Sequence, residues 1–84
     1  MVQRDKLIQR LKSKPTDFTF DELETLLGFL GYHRSDKGHT SGSRIVFTSD
    51  LHGRIMLHRP HPSNVLKRYQ IKLLLQQLER EELI

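Results

Sequence analysis

Residues 42–62, GSRIVFTSDLHGRIMLHRPHP, decide how this chain folds. Two short alternating apolar runs are joined by a polar, glycine-containing turn, a pattern that predicts a β-hairpin with its turn at residues 49–53. Ile45 and Phe47 fall on one face of the first run, and Arg44, Val46 and Thr48 on the other. In the second run Ile55 and Leu57 share a face opposed by Arg54, Met56 and His58. Successive strand side chains point to opposite sides, so the hairpin has one apolar face and one mixed, basic face. The apolar face needs helices to cover it, which leaves the basic face for a partner.

The rest of the chain supplies those helices. Val2, Leu7, Ile8 and Leu11 recur near helical spacing until Pro15, whose ring and missing N–H stop a helix. Thr19 and Glu22 stand three apart as a capping box, with Phe18 and Leu23 placed as a hydrophobic staple. Leu23, Leu26, Leu27 and Leu30 continue the stripe, and Gly31 sits where a left-handed residue closes a helix, so residues 20–30 are expected to be helical. A first strand is expected over residues 32–35, then a polar loop, DKGHTSG, over 36–42. After the hairpin, Pro60 and Pro62 keep the chain extended. Ser63 or Asn64 is expected to cap a last helix running from about Leu66 to Arg80, with Ile71, Leu74, Leu75 and Leu78 inward. The expected order is α-α-β-β-β-α, an α+β fold with a three-stranded antiparallel sheet and helices on one face.

Composition bounds the function. With 84 residues there is material for one core, and 36% hydrophobic against 29% charged residues suits a globular chain. Cysteine is absent, which excludes disulfides and thiolate metal sites. No apolar run approaches the roughly 20 residues needed to cross a bilayer, and the first residues lack the apolar core of a signal peptide, so a cytoplasmic location is expected. The net charge of +4 favours anionic partners, nucleic acid first, although a merely solvated basic surface has the same composition.

The helix ending at Gly31 before Tyr32, the Gly42-Ser43 pair, the Ile45/Phe47 pattern, the segment Leu57-His58-Arg59-Pro60-His61-Pro62 and the closing helix together resemble the HicA family of bacterial toxins. The resemblance covers residues 18–84 and implies a double-stranded-RNA-binding-domain-like α-β-β-β-α fold. Residues 1–15 then form an accessory helix ahead of a domain at 16–84. It also implies metal-free endoribonucleolytic cleavage of mRNA, translational arrest, and neutralisation by a HicB antitoxin. The family's usual histidine directly after Gly-Ser is replaced here by Arg44.

Metal-free RNA cleavage requires a base for the ribose 2′-OH, an acid for the leaving oxygen and positive charge on the phosphorane. Arg44 can clamp a phosphate but cannot exchange protons near neutral pH. His39, five residues before Arg44, and His58, on the same predicted sheet face, are therefore the proton-transfer candidates. Gly42 and Ser43 offer N–H and hydroxyl donors to a phosphate, and Lys37, Arg34, Arg54 and Arg59 offer backbone-tracking charge. Each has a plainer role: Arg44 paired with a carboxylate, His39 solvated, His58 and His61 bracing the proline-rich turn, Gly42 easing entry to the strand. Two other functions share the fold: a module that holds RNA without cutting it, and a domain that contacts only an antitoxin-like partner.

Overall fold

The computed structural model describes residues 3–35, 44–60 and 63–84. Along the chain run α1 (Gln3–Lys12), α2 (Phe20–Phe29), β1 (His33–Arg34), β2 (Arg44–Ser49), β3 (Gly53–His58) and α3 (Arg68–Arg80). The strands form one antiparallel sheet in the order β1-β2-β3, giving the expected α+β architecture.

Local chemistry sets the boundaries of α2. Thr19 Oγ1 accepts from the Glu22 N–H at 3.1 Å, and Glu22 Oε1 accepts from the Thr19 N–H at 2.9 Å. Phe18 and Leu23, the two staple residues, are fully buried. At the other end Gly31, with φ of 95°, turns the chain into the left-handed region. The Tyr32 N–H then reaches back to the Leu27 carbonyl and the Gly31 N–H to that of Gly28, the paired bonds of a Schellman motif. Gly53, with φ of 79°, does the same for the β2–β3 turn, where Ser49 Oγ accepts from the Leu51 and His52 N–H groups.

Ile45, Phe47 and Ile55 point from the sheet into a core completed by Leu11, Phe18, Phe20, the α2 leucines, Leu66, and Ile71, Leu74, Leu75 and Leu78 of α3. Phe20 and Phe47 meet with ring centroids 6.2 Å apart. The α1 helix belongs to the same core through Leu11, and Arg10 ties it to α2 by two 3.1 Å contacts with the Glu22 carboxylate.

The start of α3 differs from the expectation. Its N-cap is Lys67, not Ser63 or Asn64, and helix begins only at Arg68. Residues 64–66 are taken up by pairing with the run-in to α2: Phe20 N–H donates to the Asn64 carbonyl and Leu66 N–H to the Phe18 carbonyl, both at 2.8 Å. An extended partner for the capping segment thus outcompeted a side-chain cap. Strand β1 is also shorter than residues 32–35, although the Ser35 N–H still donates to the Val46 carbonyl at 3.0 Å.

Candidate nucleic-acid interface

The face of the sheet away from the helices is built from alternate residues of three short strands. In register, His33 stands opposite Thr48 and Thr48 opposite Arg54; Val46 stands opposite Met56; Arg44 stands opposite His58. None of the three strands contains an acidic residue, so this open face carries only neutral and basic groups. Anions are drawn to such a surface, and nothing within its strands competes for them.

Arg44 and His58 are the pair on which chemistry would turn. The Ser35-to-Val46 bond shows that Val46 turns its main chain toward β1, so the ladder bonds between β2 and β3 are made at Ile45–Leu57 and Phe47–Ile55. Arg44–His58 is therefore a non-hydrogen-bonded pair, with Cα atoms about 4.5 Å apart and side chains at their closest. Both residues are exposed. A guanidinium thus stands beside an imidazole at one end of the open face.

Gln70 holds that end of the sheet. It is buried, its Nε2 donates to the His58 carbonyl at 2.8 Å, and its Oε1 accepts from the Lys67 N–H at 2.9 Å. One side chain thereby locks the last residue of β3 to the first turn of α3.

The other candidates are dispersed. Arg54 is exposed on the open face, four residues before His58 and so about 13 Å along the strand. Arg34 lies opposite Phe47 on the helix side of the sheet, with its guanidinium 3.9 Å from Glu24. Arg59 stacks its guanidinium 4.9 Å from the centre of the Phe20 ring. Lys37, His39, Gly42 and Ser43 fall outside the described residues, as does His61.

His33 was given no role by sequence reasoning, yet it stands on the open face with Nε2 3.3 Å from Thr48 Oγ1. The signal available was alternation: Tyr32 is buried, so the next strand residue must face out. His52, in the β2–β3 turn, lies at the opposite end of β3 from His58 and contacts Glu81 through Nδ1 at 3.1 Å. Among the described residues no group of three or more histidine or acidic side chains is placed to hold a metal ion.

A family model described as the HicA toxin of bacterial toxin–antitoxin matches residues 20–79, from the first residue of α2 almost to the end of α3. No curated protein and no solved structure matches the chain.

Proposed function

Since this chain belongs to the HicA toxin family of bacterial toxin–antitoxin pairs, we propose that it is an endoribonuclease that cleaves mRNA without a metal and so arrests translation. The observation that carries this reading is the juxtaposition of Arg44 and His58 at one end of an acid-free sheet face.

In the proposed reaction the ribose 2′-oxygen attacks the adjacent phosphorus as its proton passes to a base. The P–O5′ bond breaks while an acid protonates the leaving oxygen, giving a 2′,3′-cyclic phosphate and a 5′-hydroxyl. Arg44 donates a fork of N–H groups to the non-bridging oxygens, whose negative charge grows in the transition state. His58 serves one proton transfer and His39 the other, with Gly42 and Ser43 contributing donors to the phosphate. Arg54 and Lys37 follow the RNA backbone, with Arg34 and Arg59 as more peripheral charge.

Arg44 in place of the family's usual histidine favours a second reading, in which the same face holds RNA without cutting it or the chain engages only its antitoxin. Incubating labelled mRNA with the purified protein in EDTA, beside Arg44→Ala, His58→Ala and His39→Ala, separates these readings. Cutting that persists in EDTA and fails in the variants supports the nuclease. Intact RNA with salt-sensitive binding supports the holding module, and neither cutting nor binding leaves the antitoxin contact alone.

A further inference from the structure

Beside the open edge of the sheet lies a groove that shares Met56 and His58 with the RNA-directed face and adds Tyr69 and Leu73 of α3. β3 has β2 on one side only, and α3 runs along its other flank. The space between them, about 230 Å³, is bordered by Met56, Tyr69 and Leu73, which are 60%, 57% and 58% exposed. Three large apolar side chains standing together in water on so small a protein are the usual mark of a contact surface.

The backbone at this edge is prepared in an uneven way. Arg54, Met56 and His58 all turn their main-chain groups away from β2, as the ladder at Ile55 and Leu57 requires. Gln77 Nε2 donates to the Arg54 carbonyl at 3.0 Å and Gln70 Nε2 to the His58 carbonyl at 2.8 Å. Between them, Met56 presents both its N–H and its carbonyl to the groove. A short extended segment can pair there, and the two glutamines end the pairing at either side.

Charge selects the occupant. No acidic residue lines the groove, while Arg54 and His58 flank Met56 along the strand. A second copy of this chain is disfavoured. Antiparallel pairing of two β3 strands about Met56 would set Arg54 of each against His58 of the other, leaving each arginine at the seam with no carboxylate opposite it. Nucleic acid has no aliphatic side chains to cover Met56 and Leu73. The geometry points to the antitoxin as the occupant: an extended, acidic segment of it pairs with Met56 and places apolar side chains on Met56, Tyr69 and Leu73. This inference rests on the family assignment but not on RNA cleavage.

The test measures binding of the purified product of the open reading frame adjoining this protein's gene, by calorimetry, to the parent chain and to Leu73→Glu and Met56→Glu. Both substitutions are at exposed positions, and thermal melts check that the fold is kept. Affinity is expected to fall at least about tenfold in each variant, while Leu73→Glu cleaves RNA as the parent does and escapes neutralisation by that product. Unchanged affinity in Leu73→Glu overturns the inference, as does failure of the parent to bind. Self-association of the parent that Leu73→Glu abolishes overturns it too, by assigning the groove to a second copy. A parent that binds through these residues but cuts no RNA upholds the docking site and sinks only the nuclease reading.

Discussion

Arg44 and His58 divide the proposed chemistry between a guanidinium that supplies fixed positive charge and an imidazole assigned to proton transfer. Removing the charge with Arg44→Ala is expected to lower the cleavage rate by about 100-fold or more, the usual loss for one donor to a developing oxyanion. Arg44→Lys restores the charge but not the planar fork, so single-turnover rates should recover only in part. Tyr32 makes a different point about single residues. Its hydroxyl is buried with no hydrogen-bond partner among the described residues, and burial, with Glu81 nearby, pushes the phenol above its ordinary range. An unpartnered buried hydroxyl costs about 1–3 kcal/mol. Tyr32→Phe should therefore leave stability unchanged or raise it in urea titrations, and a clear loss of stability would reveal a partner for that oxygen.

At the scale of elements, the junctions carry more than the elements themselves. Glu22 both caps α2 and binds Arg10 of α1. Burial opposes its charge, but the Thr19 N–H and the Arg10 guanidinium outweigh burial and hold it below the ordinary value of 4.5. A carboxyl depressed in the folded state contributes stability that is complete above its unfolded value and is lost as pH falls through the folded one. The parent should therefore lose stability below about pH 4.5 more steeply than Glu22→Gln, as followed by urea midpoints across the acid range. At the β3–α3 junction, Gln70→Leu removes both bonds of the clamp while keeping the site filled. It should cost about 1–3 kcal/mol and, if His58 acts in cleavage, lower kcat with little change in KM. A structural role alone would move stability and leave that split untouched.

Taken whole, the molecule is a basic chain folded so that its three helices share one side of the sheet and no described element covers the other. The α1 helix lies ahead of the family match yet places Leu11, fully buried, in the common core. Leu11→Ala should accordingly cost about 2–5 kcal/mol in chemical denaturation, as for any core leucine. RNA binding, if it uses the open face, should weaken steeply with salt, and removing Arg44 or Arg54 should each lower that salt slope by about one. Loss of affinity without a change in slope would mean that the arginines do not meet phosphates.

The α2 helix, the hairpin and its register, and the inward face of α3 could be read from the chain because each depends on near neighbours. Thr19 and Glu22 are three residues apart, Gly31 follows its helix directly, and alternation through residues 44–49 and 53–58 decides which side chains are buried. That Arg44 and His58 share a sheet face was legible for the same reason, and the register of the folded hairpin then set them directly opposite. Other outcomes depended on groups distant in sequence. Lys67 rather than Asn64 caps α3 because residues 64–66 found an extended partner at Phe18–Phe20, more than forty residues away, and no local rule weighs that competition. Arg34 and Arg59 were drawn toward Glu24 and Phe20 by packing between layers. The groove beside Met56 exists only because α3 settles along a strand edge. Local spacing thus determined which elements form and which faces they bury, whereas the order in which the layers meet decided which polar and apolar groups remain for a partner.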